Sequence, residues 1–123
     1  MASSPNLRAG TVYLKVDGDQ YRVKGSFTYN IGRPKREAIV GHDGVHGYKE
    51  LPQAPHIEGE ITDGSDVDLA KVFATVDATV TLELANGKVI LLRNAWFAGE
   101  GQVGTEDGNI AVRFEGLSGE EVV

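Results

Sequence analysis

Three glycines in the second half of the chain have the spacing of a phosphate-binding loop. Gly99, Gly101 and Gly104 match the pattern G-x-G-x-x-G. A dinucleotide-binding loop must lead into a helix whose N-terminus faces the phosphates. Here the pair Asp107-Gly108 follows, which favours another turn. A glycine-rich β-turn is therefore the better interpretation, and we predict no cofactor.

The three histidines could suggest a metal site. His42 and His46 are four residues apart, but they lie in a glycine-bearing segment and not on a helix that would place both on one face. His56 is more distant, and the chain has no cysteine. Because a structural zinc site needs four closely spaced ligands, exposed loop histidines are the better interpretation. We predict no metal.

Two groups of carboxylates could also do chemistry. Asp63, Asp66 and Asp68 lack the spacing of an EF-hand calcium loop, and they suit the N-terminus of a helix. Glu58 and Glu60 share one solvent-facing side of a predicted strand, and a carboxylate pair can hydrolyse glycosides. Aromatic residues that would stack on a sugar make up only 7% of the chain. We predict no catalytic residue and a protein that is not an enzyme.

The charge and composition exclude several classes of protein. Lys and Arg number 12 and Asp and Glu 18, so the net charge is −6. Because phosphate contacts dominate the affinity for nucleic acid, stable binding to DNA or RNA is disfavoured. The lack of cysteine is consistent with assembly in a reducing cytoplasm. The polar start is not expected to be a signal peptide, and no apolar run approaches the roughly 18 residues of a membrane span.

Alternating apolar and polar residues, separated by turn-forming pairs, predict one β-rich domain over residues 1–123. We expect about six or seven strands and one helix. The predicted architecture is mainly β: a β-sandwich or small barrel with one flanking α-helix and a long projecting loop. Single strands are expected at 54–62, with Ile57 and Ile61 on one face, and around Ile110, Val112 and Phe114.

Two hairpins are predicted from turn-forming pairs. Asp17-Gly18 favours a two-residue turn within residues 11–29, and Asn86-Gly87 favours a turn within residues 78–97. The expected partners are Leu14 with Tyr21 and Val12 with Val23 in the first hairpin, and Leu84 with Val89 and Leu82 with Leu91 in the second.

The return strand of the second hairpin is apolar on both faces. If Val89 and Leu91 face the core, then Ile90, Leu92 and Trp96 point away from it. Exposed apolar surface of this kind marks an interface. We therefore predict that Ile90, Leu92 and Trp96 pack on a neighbouring subunit or under the helix.

The predicted helix follows the strand at 54–62. Ser65 is a suitable N-cap, and Asp68 three residues later resembles a capping box. The apolar stripe occupies about three turns, enough to cover one opening of the sheet. Its members are Leu69, Val72, Phe73 and Val76.

Residues 30–53 are punctuated by glycine and proline, and only residues 38–40 resemble a strand. The segment is too apolar to be disordered, so we predict a projecting loop that is mobile in the free subunit and becomes ordered against another molecule. Residues 1–9 are expected to be an arm and 117–123 a mobile tail. The candidate contact residues in the loop are Arg33, Lys35, Arg36, Glu37, Asp43, Tyr48, Lys49, Glu50 and Leu51.

Several segments together resemble one known family. They are residues 25–32 (GSFTYNIG), 35–38 (KREA), 44–52 (GVHGYKELP), 57–63 (IEGEITD), 84–88 (LANGK) and 93–96 (RNAW). Over nearly the whole chain the sequence resembles the Mu-like phage tail tube proteins.

The resemblance implies a structural virion protein whose hexameric rings stack into a hollow tube. Residues 30–53 would contact the next ring, and Ile90, Leu92 and Trp96 the neighbour within a ring. The implied partners are a contractile sheath, the tape measure protein and a baseplate initiator, with DNA passing through transiently. The tube would belong to the virion and assemble in the host cytoplasm.

The face of the tube that meets DNA should be acidic, because an acidic wall repels phosphates. Glu83, Glu115 and Asp77 are candidates, and the sequence alone does not assign the lumen. Two alternatives are a monomeric β-sandwich that binds a small ligand or peptide in a pocket, and a small hydrolase using Glu58, Glu60 or the histidines.

Overall fold

A computed structural model describes residues 10–122, which form eleven strands and one short helix. The prediction of six or seven strands was therefore too low, chiefly because residues 30–53 and 118–122 also form strands. The bounds are β1 Tyr13–Val16, β2 Asp19–Tyr21, β3 Val23–Asn30, β4 Lys35–Gly41, β5 Gly44–Leu51, β6 His56–Thr62, α1 Leu69–Phe73, β7 Ala78–Glu83, β8 Val89–Phe97, β9 Val103–Gly104, β10 Asn109–Glu115 and β11 Ser118–Val122.

The strands form two antiparallel layers that share β8. One layer has the order β2-β1-β7-β8-β11, and the other has the order β3-β6-β10-β9. The first half of β8 pairs with β11, whereas Trp96 and Phe97 at its end pair with β10. Only Arg22 separates β2 from β3, and its carbonyl accepts a hydrogen bond from the amide of Thr62 at 2.8 Å. The predicted mainly β, sandwich-like fold with one helix is confirmed.

The first hairpin follows its predicted register only as far as Tyr21. Leu14 lies opposite Tyr21 across the turn at Asp17-Gly18, as predicted. The predicted pair of Val12 and Val23 does not form, because the chain crosses to the other layer and Val23 pairs with Ile61. A change of sheet cannot be inferred from alternation, which continues on both sides of the crossing.

The second hairpin has a register one residue away from the predicted one. Glu83 lies opposite Val89, and Leu82 lies opposite Ile90. The cause is a three-residue loop: the amide of Leu84 donates to the carbonyl of Lys88 at 2.9 Å, and Gly87 has φ of 92°. Because side chains alternate along a strand, a shift of one residue exchanges its two faces.

The exchange of faces places Ile90 and Leu92 in the core, where both are 0% exposed. The prediction that they contact a neighbouring subunit was therefore wrong. Asn94 has φ of 52°, and the register shifts between Ala78 and Val80 so that Ala95 is also buried. The two layers thus enclose one core, composed of Leu14, Val16, Ile57, Ile61, Val72, Ala78, Val80, Leu82, Ile90, Leu92, Ala95, Ile110, Val112 and Phe114.

The helix is shorter than its apolar stripe predicted. Asp68 and not Ser65 is the N-cap, and its side chain accepts a hydrogen bond from the amide of Lys71 at 3.3 Å. Val72 is buried, but Val76 lies beyond the helix and is exposed. The helix still closes one end of the core, where the rings of Phe73 and Phe97 lie 5.0 Å apart.

The C-terminal segment is a strand and not the mobile tail that was predicted. Residues 118–122 form β11, which pairs with β8 from Arg93 to Val89. Arg93 also forms an ion pair with Glu120, at 2.8 Å. Two glycines allow this close approach: an added Cβ would contact the Arg93 carbonyl at Gly116, at 3.0 Å, and Pro55 at Gly119, at 2.9 Å. The predicted arm at 1–9 lies outside the described residues.

The core contains one glycine whose missing side chain is replaced by an aromatic ring. Gly59 lies between Ile57 and Ile61 on the inward face of β6, and the Phe27 ring occupies the space where its Cβ would be. The residues of β3 between Lys24 and Thr28 form a bulge against β6 that carries this ring inward. Only a glycine fits at position 59 without moving Phe27.

Replacing Gly59 with alanine should destabilise the subunit by about 1–3 kcal/mol, because overpacking displaces the Phe27 ring. Urea unfolding followed by tryptophan fluorescence measures the change. Gly104→Ala is the matched control, because its Cβ would have no neighbour closer than 3.8 Å. Equal stability of Gly59→Ala and the unchanged protein would contradict this account of the bulge.

Candidate assembly surface

Residues 30–53 form a regular β-hairpin, so the prediction of an irregular loop was wrong. Strands β4 and β5 pair from Lys35 opposite Leu51 to Gly41 opposite Gly44, with the two-residue turn His42–Asp43 between them. Apolar and polar residues do not alternate in these strands, since Lys35-Arg36-Glu37 precedes Ala38-Ile39-Val40 in β4, so the pattern gave no signal of the pair. Gly44 and Gly47 have φ of 137° and 144°, and they serve the turn and the bulge.

The hairpin projects from the body of the subunit, as was predicted for the loop. Its two strands form a separate sheet and, among the described strands, pair only with each other. Every residue of β5 is exposed. Ten large apolar side chains are exposed in residues 10–122, and half of them lie on this hairpin: Ile39, Val40, Val45, Tyr48 and Leu51.

The two faces of the hairpin differ in character. Val40 lies opposite Val45 and on the same face as Tyr48, which makes the outer half of this face apolar. Towards the base of the same face, the Arg36 guanidinium lies 5.2 Å from the centre of the Tyr48 ring and 3.7 Å from Glu50. This geometry orients Tyr48 while leaving the ring exposed.

The second face is mixed, because it carries Ile39 and Leu51 beside charged side chains. Glu37 lies between two lysines, 3.6 Å from the ammonium of Lys35 and 3.8 Å from that of Lys49. Such exposed pairs contribute little to stability. Within residues 10–122, each ion pair of the hairpin is internal to it, so none ties it to the body.

The tip of the hairpin carries two of the three histidines. A carboxylate oxygen of Asp43 lies 2.6 Å from Nε2 of His46, and this hydrogen bond lowers the pKa of Asp43 below its ordinary value. His56 is distant, at the start of β6. No group of three His, Asp or Glu side chains within residues 10–122 is arranged to hold a metal ion.

Trp96 is the only member of the predicted interface trio that does not enter the core. It lies opposite Glu115 on the outer face of β8 and β10 and is half-buried. The neighbouring pair, Phe97 opposite Phe114, points inward, and the two rings meet edge to face at 5.6 Å. The prediction that apolar side chains of this strand point away from the core therefore holds only for Trp96, which follows the bend at Asn94.

A broad open groove of about 610 Å³ crosses the outer face of the second layer. The Arg113 guanidinium lies 3.1 Å from a carboxylate oxygen of Glu58 and 2.9 Å from one of Glu115. Both carboxylates raise the pKa of Arg113, and the hydrogen bond from Glu115 has the larger effect. Because Glu58 is held by Arg113, the carboxylates Glu58 and Glu60 do not form an isolated acid and base pair. The glycine-rich turn 99–102 forms one wall of the groove.

The three acidic candidates for a DNA-facing wall lie in different places. Glu83 forms an ion pair with Lys15, at 3.1 Å, and Glu115 is bound to Arg113. Asp77 lies in the turn between α1 and β7, with φ of 50°. The first two are partly neutralised by their partners.

Exposed apolar surface of the kind that this hairpin carries is typical of proteins that assemble with other subunits. The sequence matches the family described as phage tail tube protein over residues 6–121, and the chain belongs to that family. It is 25% identical over 108 residues to the Mu-like prophage FluMu tail tube protein of Haemophilus influenzae, covering 88% of this chain and 90% of that protein. The resemblance inferred from sequence is confirmed, as is the prediction of a structural protein and not an enzyme.

Solved structures share the fold at low sequence identity. The cap that terminates the anti-feeding prophage tube has a TM-score of 0.64 at 10% identity, covering 100% of this chain and 95% of that one. The sheath/tube terminator of an extracellular contractile injection system has the same TM-score and identity, covering 99% and 100%. A chain of the sheath-tube complex of such a system has a TM-score of 0.61 at 11% identity, covering 96% and 93%. The described residues contain no helix long and apolar enough to span a membrane.

Shortening the hairpin should leave the body folded, because no strand of the body pairs with it. The variant joins Lys35 to Leu51, which lie opposite each other, through Asn-Gly in place of residues 36–50. The free energy of unfolding should change by less than about 1 kcal/mol, since loop closure depends weakly on length. Circular dichroism and urea unfolding measure this. An unfolded variant would show that the hairpin belongs to the core.

Proposed function

We propose that this protein is the subunit of a phage tail tube whose hexameric rings stack inside a contractile sheath. The single observation that carries the proposal is the exposed apolar hairpin in a chain of the tail tube family. The relative named as a Mu-like prophage tail tube protein supports it. The similar structures, a sheath/tube terminator and a sheath-tube complex of an extracellular contractile injection system, support the sheath.

The hairpin suits a contact between successive rings. A two-stranded hairpin alone in water is at best marginally stable, so a partner that covers its apolar face would stabilise both itself and the hairpin. Contacts that close a ring and contacts that extend a tube are both heterologous, which means that each joins two different patches of the subunit. The hairpin is one such patch.

The contact between neighbours within a ring needs other residues than those first considered. Ile90 and Leu92 are enclosed in the core of their own subunit, so Trp96 alone of that trio is available. Leu117 and Val122 are exposed apolar residues that border and end β11 at the edge of the first layer. These edge residues replace Ile90 and Leu92 as candidates for the ring contact.

In this function the tube surrounds the tape measure protein during assembly and later conducts DNA. A baseplate initiator would start the stack, and assembly would occur in the host cytoplasm. The net charge of −6 favours passage of DNA without binding, because a wall rich in carboxylates repels phosphates. The protein would need no cofactor for any of these steps.

A charge on the apolar face of the hairpin should prevent tube formation. Val45→Glu places a carboxylate where we propose that the next subunit packs, and burying an unpaired charge is costly. Val76→Glu is the matched control, because Val76 lies off the hairpin and is 67% exposed where Val45 is 71% exposed. Negative-stain electron microscopy and light scattering after chromatography should show tubes for the control and for the unchanged protein, and none for Val45→Glu.

Normal tubes from Val45→Glu would contradict the role of the hairpin. A strictly monomeric unchanged protein, across protein concentrations and salts, would overturn the tube function itself. It would favour the alternative of a monomeric β-sandwich that binds a ligand or peptide in the groove.

The wall that faces the passing DNA should carry more Asp and Glu than Lys and Arg. A cryo-electron microscopy structure of the assembled tube counts these residues directly. Purified tubes should also fail to retain short double-stranded DNA at low salt, where non-specific binding to a basic surface is strongest. A basic lumen, or retention that is lost as salt rises, would refute the acidic wall.

A further inference from the structure

We propose that the groove on the second layer is the surface that receives the hairpin of a second copy of this chain. The proposal rests on the tube function, since it names the partner surface of the inter-ring contact. A heterologous contact requires such a surface, different from the hairpin itself. Four observations support the assignment: the positions of hairpin and groove, the small residues of the groove, the charges, and the dimensions.

The groove is displaced along β3 and β6 from the root of the hairpin. The hairpin leaves the body where Asn30 of β3 lies opposite His56 of β6. The groove extends from Glu58 to Glu60 of β6 and reaches Lys24 of β3. Its far side, at Glu60, is four residues from His56, which is roughly 13 Å along a strand. A projection and a recess displaced from each other along the same strands permit copies to stack head to tail.

The groove is lined by small residues that allow another backbone to approach closely. Ala111 is exposed on its floor, opposite Glu60. Gly25 and Ser26 form one side, and Gly99 and Gly101 form the other. Gly99 and Gly101 also pack closely within the subunit, since an added Cβ would lie 3.1 Å from the Phe97 ring at Gly99 and 3.3 Å from the Phe73 ring at Gly101. The glycine spacing that resembles a phosphate-binding loop thus has a structural role without a nucleotide. The apolar outer half of the hairpin would lie on this floor.

The charges of the two surfaces are complementary. Residues 30–53 hold four cations and three carboxylates, a net charge of +1, whereas the groove lining holds Lys24 and Arg113 against Glu58, Glu60 and Glu100, a net charge of −1. Glu60 and Glu100 of the groove form no ion pair with any residue of 10–122. Arg36, on the same face of the hairpin as Tyr48, is a partner for these carboxylates in this arrangement. Such complementarity steers association and sets its register.

The dimensions agree with this arrangement. Strands of seven and eight residues extend about 23–26 Å, so the hairpin can reach well beyond its own subunit. The groove volume of about 610 Å³ is open to solvent and can admit the side chains of one hairpin face.

The absence of native cysteine allows a direct test by crosslinking. Val45→Cys at the hairpin and Ala111→Cys in the groove are combined in one chain, and assembled tubes are treated with a short bifunctional maleimide. We expect a ladder of covalent multimers on denaturing gels. Both single-cysteine chains should stay monomeric. The control pairs Val45→Cys with Ala70→Cys, because Ala70 is exposed on the helix outside the groove.

Tubes that form without the ladder, or a ladder of equal strength from the Ala70 control, would overturn the assignment of the groove while leaving the tube function intact. Failure of the unchanged protein to form tubes would instead count against the tube function.

A second variant tests the groove if the cysteine chains assemble poorly. Ala111→Arg fills the groove and should stop tube growth, whereas Ala70→Arg should not, and normal tubes from Ala111→Arg would also overturn the assignment.

Discussion

The fold depends on one strand that serves both layers. Strand β8 directs Ile90 and Leu92 into the core beside β7, bends at Asn94, and then directs Phe97 into the core beside β10. A single straight strand could not pair with both neighbours, because the two layers diverge. The left-handed conformation at Asn94 has a small cost for a residue of this type, and in return one core is enclosed by both sheets.

Enclosing the core in this way leaves the connection between β3 and β6 free to extend. Those two strands are paired up to Asn30 and His56, and between these residues β4 and β5 pair with each other and with no strand of either layer. The chain therefore continues as a separate hairpin whose apolar residues find no cover on their own subunit. In the proposed tube, this uncovered surface is the one that a neighbouring subunit would cover.

Much of the assembly surface could be located from sequence, but its form could not. Glycine and proline around residues 30–53, together with Tyr48 and Leu51, indicated a segment that leaves the body and contacts something. The same glycines suggested irregular structure, although Gly44 and Gly47 only shape the turn and the bulge of a regular hairpin. The groove was missed altogether, because Lys24, Glu60 and Gly101 come from distant parts of the chain.

Residue types and local periodicity were enough to predict the β-rich class, the family and the alternation that fills most of the core. Neither of them could predict which face of β8 is buried. The loop at Ala85–Gly87 contains one residue more than the expected turn, and this moved Ile90 and Leu92 from a supposed interface into the core. Alternation along a strand shows that its two faces differ. Which face points inward depends on the length of the turn and on the neighbouring sheet.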